Sequence, residues 1–469
     1  MRKENLKKEN TGASGGQAVM DMTKGPVLKQ MTVFGLPILF GMICQRVYNF
    51  ADTYIVGRYL GDQALAAVSI AGSAMYMMFS IMMGVTTGVS VVISQYYGAG
   101  RKDRIRETFT AGAHVAIWVS VLVTVLGAAT VEPFLRILQT GEELMGQAGD
   151  YLLVIYLGCA ATMLYNFISA VLRALGNSAV PLFFLVLSSI LNVILDIAFV
   201  SWIPMGVTGA AFATVLSQLI SGVLCVAYAF KILPFLKGTK IFCRPEGYLV
   251  GQVLRYGLPT GLQMSIISIS DMTLQAVINT YGTVMVVAYG VCMKVEGLGF
   301  QLADAIGSAL GTFTGQNVGA GNFERVKKGV RSAYLMNVIC YGIFCVLVFV
   351  FAEMIMRAFT QNEEAIGYGT EYMHIFSAFF LAGGILVVYH NILRASGDVA
   401  VTVLMGVSEV VTRIGCAFLL PYLFGYRGLW FVSPLTWLCA MLVGAVRYYS
   451  GAWKKKACKM IEKAGGTYE

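Results

Sequence analysis

The sequence predicts an all-α polytopic membrane protein: twelve transmembrane helices in two pseudo-symmetric six-helix lobes, a parallel repeat around a central cleft. Three observations carry that expectation. The 469 residues are 57% hydrophobic and only 13% charged, with a mean hydropathy of +0.71, against about 25% charged in an ordinary soluble domain. Long apolar runs separated by short polar patches fill residues 30–450, and a bilayer needs only ~20 apolar residues per crossing. The second half of the chain also repeats the first at a fixed offset.

In order, the spans fall at about 30–57, 63–97, 107–131, 150–171, 179–201, 207–231, 250–281, 284–318, 329–352, 370–392, 399–421 and 429–450. Residues 63–97 and 284–318 exceed what a bilayer needs, so these two helices project or tilt. Gly84 and Gly88 in the first, and Gly307, Gly311, Gly315 and Gly319 in the second, have the four-residue spacing of close helix packing. Met1 to Lys29 is polar and has no apolar stretch of the kind a cleavable leader carries.

The repeat is explicit. QYYGAGRKDR at Gln95 returns as QNVGAGNFER at Gln316, and LRALGN at Leu172 as LRASGD at Leu393, both 221 residues on. The same offset takes Glu132, Arg136, Glu142, Glu143 and Tyr151 onto Glu353, Arg357, Glu363, Glu364 and Tyr372, while Leu36–Pro37 meets Leu258–Pro259 at 222. The chain therefore divides into an N-terminal tail (1–29), an N-lobe (30–231), a basic linker (232–249), a C-lobe (250–450) and a basic C-terminal tail (451–469). Six spans per half is an even number, so both halves enter from one side, a common transporter layout. One side collects 27 of the 34 Lys and Arg, and the other only Arg58, Arg136, Arg357 and Arg427. The positive-inside rule puts both termini in the cytoplasm. The net charge of +9 thus reports topology and does not call for a nucleic-acid partner.

Several function classes are excluded by absence. There is no Gly-Lys dipeptide, hence no Walker A loop. His114, His374 and His390 are too scattered for a compact metal motif, and no Cys/His cluster or nucleophile elbow appears. The ten cysteines form no CxxC pair and read as small apolar packing residues. No metal, cofactor or enzymatic activity is expected.

The candidate chemistry sits in the spans. Residues 35–61, GLPILFGMICQRVYNFADTYIVGRYLG, form an apolar helix with Pro37 near its start and Asp52 in its second half. A carboxylate there costs about 2.5–3.5 kcal/mol on insertion scales, which marks it as functional. Gln45, Tyr48, Asn49 and Asp52 share one helical face, which lipid cannot satisfy. The other acids within spans are Asp196, Asp271, Glu296, Asp304 and Glu409. Glu409 and Arg413, spaced i,i+4, can neutralise each other, and Glu296 can settle in the same way with Lys294 or with Asp304. Asp52 and Asp196 have no basic partner in their own turn, since Arg46 lies roughly 9 Å along the axis from Asp52. A buried carboxyl can hold a proton and release it when hydration changes, as a proton-coupled carrier requires. With Asn, Gln and Thr oxygens nearby it can equally hold sodium.

The stretches YNFADTYIVGRYLG, LNVILDIAFV, GVTGAAFATVLSQ, LRALGN and GQNVGAGNFER closely resemble the MATE (multidrug and toxic compound extrusion) family of transporters, over about residues 30–450. GLQMSIISISDMTLQ and KVEGLGFQLADAIGSALGTFTGQNVGAG look most like bacterial DinF-like members. The resemblance implies a bacterial cytoplasmic-membrane antiporter, working as a monomer, that exports lipophilic, cationic small molecules by alternating access in exchange for protons or Na+. It also implies a coupling cluster of Asp52, Gln45, Asn192, Asp196, Thr214 and Tyr151, and a hinge at Pro37. The chain departs from the family at Arg46, where relatives carry an uncharged residue. Arg46 either partners Asp52 and weakens proton coupling, or contacts an anionic substrate. The seventh-helix glutamate of NorM-like members falls near Ile267, so that acid is missing, and Asp271 one turn on is the available stand-in. A C-lobe sodium site is accordingly disfavoured against an N-lobe proton route.

The cleft candidates are Arg46, Asn49, Met78, Met82 and Asp271, the methionines belonging to a run of Met75, Met77, Met78, Met82 and Met83 with Tyr76 and Phe79. Methionine suits promiscuous surfaces, and equally a helix core. Lys294, Glu296, Asp304, Glu409 and Arg413 form a candidate C-lobe charge network. The competing expectation is a flippase or exporter of lipid-linked glycans or metabolites on the same fold. It predicts a broad basic cleft, against which the few intramembrane cations argue.

Overall fold

In the computed structural model of the chain, the described residues are 19–463 apart from 237 and 240–242, excluding the side chains of 73, 77 and 459–463. Most of the N-terminal tail, part of the linker, the last residues of the C-terminal tail and the Met77 side chain therefore lie outside the described residues. The described residues are helical throughout, with no strand among them.

The N-lobe helices are α1 (Val27–Leu60), α2 (Asp62–Gly98), α3 (Lys102–Ile137), α4, a bent pair (Glu142–Leu157 and Cys159–Ala174), α5 (Ala179–Asp196) and α6 (Val207–Ile232). The C-lobe helices are α7 (Gly247–Asn279), α8 (Thr283–Gly319), α9 (Phe323–Phe359), α10 (Glu363–Ala395), α11 (Val399–Phe424) and α12 (Arg427–Tyr449). An amphipathic α13 (Ala452–Lys463) follows. Ten of these helices are long and apolar enough to cross a membrane, and the α4 pair, bent by 47° at Gly158, makes eleven. The 33-residue α7, repeat counterpart of α1, completes the expected twelve. Its Gln252, Arg255, Gln263 and Asp271 explain why it falls short on hydropathy.

Local chemistry fixes the boundaries. The α1–α2 and α7–α8 turns pass through Gly61 (φ 85°) and Gly282 (φ 93°), backbone conformations that disfavour a side chain. Asn362 caps α10, its Oδ1 accepting from the Glu364 and Ala365 amides at 3.0 Å. The mapped acid–arginine pairs appear as i,i+4 ion pairs at matching helix ends, Arg136–Glu132 at 2.6 Å and Arg357–Glu353 at 2.9 Å. Outward faces carry large exposed apolar side chains, such as Trp118, Leu122 and Val125 on α3 and Ile343, Val346 and Val350 on α9. In water such a belt would be a liability, whereas lipid is its natural solvent.

Two hydrophobic cores follow the two halves, with exchanges at their edges. Leu249, Val253 and Tyr256 of α7 belong to the first core, and Met31 and Phe34 of α1 to the second. The α2–α7 crossing is very close. A Cβ on Gly84 would lie 2.5 Å from the Gly261 nitrogen, and one on Gly88 2.4 Å from the Val253 carbonyl oxygen. Gly315 and Gly319 of α8 are similarly pressed against Ser94 and Gln95 of α2. The four-residue glycine spacing is thus used for helix contact, as its pattern implied.

Candidate functional site

In the N-lobe, α1 supplies Gln45, Tyr48 and Asp52, and α5 supplies Asn192 and Asp196. Thr214 comes from α6 and Tyr151 from α4. The Asp52 and Asp196 carboxyls are close neighbours, with Tyr151 and Tyr48 close to both. Gln45 lies beside Tyr48 and is exposed. Asn192 Nδ2 donates to Thr214 Oγ1 at 3.3 Å, and Thr214 Oγ1 donates to the Ala210 carbonyl at 3.2 Å. Asp196 is fully buried and ends the α-helical part of α5, which continues as a π-helical turn, Ile197–Trp202. Such turns often mark functional positions, and nothing in LNVILDIAFV signalled this one.

The electrostatics of this cluster is simple. Asp52 Oδ1, both Asp196 oxygens and Asn192 Oδ1 are shut off from solvent with no donor among the described residues. Two adjacent ionised carboxylates would repel and leave these acceptors unsatisfied, at about 1–3 kcal/mol for each neutral acceptor and more for a charged one. A single proton on either acid removes one charge and supplies a donor to the other. Among the described residues no group of three or more His, Cys, Asp or Glu is gathered to hold a metal.

The C-lobe holds more charge and matches part of it internally, while Glu409 Oε1 is buried without a hydrogen-bond donor among the described residues. Arg413 on α11 pairs with Asp271 on α7, and its Nη1 also donates to Ser270 Oγ at 3.1 Å. Glu409 Oε1 lies 3.5 Å from His390 Nε2 on α10. Gln263 Nε2 lies 3.1 Å from His390 Nδ1, and Gln263 Oε1 accepts from Arg394 Nη2 at 3.3 Å. Asp304 faces the field of Arg394. Tyr372 donates to Glu296 Oε2 at 2.8 Å, and Lys294 sits 5.4 Å from the Phe359 ring centroid. Two expectations are corrected here: Arg413 serves Asp271 and not Glu409, and Lys294 leaves Glu296. A pair four residues apart on a helix contributes only about 0.2–0.5 kcal/mol, so a charge-assisted bond to another helix prevails. The sequence also missed Gln263, Tyr372, His390 and Arg394 as members. Each lies on a different helix from its partner, where spacing carries no signal.

Between the lobes lies a cavity of about 240 Å³, lined by Met42, Met83, Thr86, Arg173, Asp304 and Arg394 among others. Met78 and Met82 do not reach it. They are 3% and 0% exposed, and Met82 Sδ instead accepts from Cys159 Sγ at 3.6 Å. One residue along, Met83 takes the cleft-facing place. Arg46 does not turn to Asp52: its Nη2 reaches the Gly297 carbonyl of α8 at 3.4 Å, a contact between lobes. Asn49 is exposed on the same helix, its carbonyl accepting from Thr53 Oγ1 at 2.8 Å. Pro37 lies inside α1, which runs unbroken through it.

A family model described as MatE matches the chain twice, over residues 37–198 and 259–419. Among curated proteins, the probable multidrug resistance protein YpnP of Bacillus subtilis is 30% identical over 437 residues, 92% of this chain and 97% of that protein. The multidrug export protein MepA of Staphylococcus aureus is 21% identical over 432 residues, 91% of this chain and 94% of its own length. Among solved structures, a MATE in the straight conformation superposes with a TM-score of 0.86 at 22% identity, covering 93% of this chain and 98% of that one. A MOP superfamily transporter from Pyrococcus furiosus, described as having a binding pocket of reverse polarity, gives 0.85 at 21% identity over 92% and 98%. At such identities the structural likeness is one of fold, two repeated lobes about a cleft.

Proposed function

Because this chain belongs to the MatE family, we propose that it is a proton-driven multidrug efflux antiporter working by alternating access, with Asp52 and Asp196 as its coupling pair. It is a membrane transporter and not an enzyme. The observation that carries the coupling assignment is the meeting of the Asp52 and Asp196 carboxyls, with Asp52 Oδ1 and both Asp196 oxygens closed off from solvent and without a donor among the described residues. A site so built is balanced only when it has taken up positive charge, and a proton needs a single acceptor where sodium needs a shell of oxygens. Asn192, Thr214 and Tyr151 complete the cluster, and Pro37 allows α1 to bend over it.

The exported compounds are lipophilic cations on this reading. Met42, Met83 and Met264 give the cleft an adaptable apolar wall, and Asp304 provides a carboxylate there beside the guanidiniums of Arg173 and Arg394. The bias of Lys and Arg supports a cytoplasmic-membrane protein with both termini inside. Inverted membrane vesicles test the reading. An imposed pH gradient is expected to drive uptake of a cationic dye, and a sodium gradient alone is not. Uptake driven only by sodium would replace the proton, and uptake under neither gradient would reject antiport.

A further inference from the structure

We infer that Gln95 and Gln316 form a reversible lock between the lobes, closing the end of the cleft nearest the termini. The lock serves the alternating access proposed above. The two glutamines are 221 residues apart and occupy the same place in each repeat. Gln95 Nε2 on α2 donates to the Ala395 carbonyl of α10 at 2.7 Å, and Gln316 Nε2 on α8 donates to the Ala174 carbonyl of α4 at 3.1 Å. Ala174 and Ala395 are also 221 apart, so one contact is made twice, reciprocally, across the lobe boundary.

The acceptors explain why a glutamine is needed. Ala174 and Ala395 are the last residues of their helices, where carbonyls lack intrahelical partners. The turns that follow use the neighbouring carbonyls: Gly176 N donates to Arg173 and Asn177 N to Leu172, and Gly397 N and Asp398 N repeat this with Arg394 and Leu393. The terminal alanine carbonyl of each lobe is left to the opposite lobe's amide.

The backbone crossing beneath the amides follows the same symmetry. A Cβ on Gly98 would lie 1.8 Å from the Gln316 carbonyl oxygen, and one on Gly319 1.9 Å from that of Gln95. Any side chain at either glycine would therefore hold α2 and α8 apart. Both halves lie just below the cavity, whose lining includes Ser94, Arg173, Arg394 and Ala395. The repeated QxxG and LRA motifs are thus the two faces of one closure.

The lock is unequal. Gln316 Oε1 also accepts from Met22 N at 2.9 Å, while Met20 N donates to the Gly176 carbonyl at 3.2 Å. The segment before α1 thereby straps both lobes and reinforces the Gln316 half.

The test reads conformation directly. Full-length protein in nanodiscs, with Cys243→Ser, carries spin labels at Lys102→Cys and Lys328→Cys, and distances are measured without substrate. Losing both bonds is expected to shift the balance about tenfold or more toward the long-distance, open population in Gln95→Ala/Gln316→Ala. Gln316→Ala alone should shift it further than Gln95→Ala. Gly98→Ala should open the same end by wedging, and a Gln→Asn pair, which keeps the amide but cannot reach, should match the alanine pair. Unchanged distances in folded Gln→Asn and Gly98→Ala proteins would overturn the lock. Because no gradient or dye enters this measurement, a shift seen alongside failed dye uptake would reject the antiport reading and leave the lock standing.

Discussion

In one lobe two carboxyls, Asp52 and Asp196, meet with no cation, and in the other Asp271 meets Arg413. The repeat places Arg413 where Asn192 stands and Asp271 where Asn49 stands, so a shared frame carries opposite charge arrangements. A built-in guanidinium satisfies Asp271, whereas the N-lobe pair, on the proposed reading, borrows its positive charge as a proton. Only a borrowed charge can report which side of the membrane the site faces. The helix crossings differ in parallel. Gly84, Gly88, Gly257 and Gly261 bring α2 and α7 into backbone contact, while the equivalent α8–α1 crossing has Ala305, Ala309, Gly35 and Leu39. There a Cβ on Gly35 would sit 3.6 Å from Ala309 Cβ, an ordinary packing distance. The helix bearing Asp52 is therefore held more loosely than its counterpart.

The largest expected effect breaks the charge comparison at its centre. Asp196→Asn should reduce gradient-driven dye transport to background with insertion intact, while Asp271→Asn should retain it within about threefold. Equal losses in the two variants would erase the distinction between lobes. Next comes the crossing: Gly84→Ala should destabilise by about 1–3 kcal/mol through overpacking, and Gly35→Ala by less than about 0.5 kcal/mol, read as midpoints of thermal unfolding in detergent. Comparable midpoints would contradict the tight-versus-loose assignment.

Smaller effects sharpen the picture. Asp271→Asn should cost about 1 kcal/mol of stability, a modest figure because the Asp271 side chain is 61% exposed. Adding Arg413→Gln should recover part of it, since the guanidinium no longer lacks its partner. Arg46→Gln should change transport less than about twofold, because one long hydrogen bond from an exposed residue is worth little. A large loss there would mean that Arg46 contacts substrate.

The frame was legible in the sequence because it rests on local signals. Apolar run length located the spans, and the 221-residue offset revealed the two lobes. Asp52 and Asp196 stood out as acids without a local base, and the structure brings them together. What stayed hidden depends on contacts between helices. Arg413 has Glu409 four residues before it, yet it turns to α7. His390 and Gln263 carried no motif, and only the fold makes them neighbours. Met82 and Met83 are adjacent in sequence but face the core and the cleft respectively, a choice set by how α2 rotates against its partners. The glutamines of the lock were visible as repeat markers, but their acceptors are backbone carbonyls, which no sequence pattern names.

The most direct measurement of the central claim is proton release on substrate binding. When a lipophilic cationic dye is added to purified protein in weakly buffered detergent solution, the wild-type chain should release protons. Asp52→Asn should bind dye without release, and Asp271→Asn should release as the wild type does. Undiminished release from Asp52→Asn would contradict the assignment of coupling to the N-lobe pair.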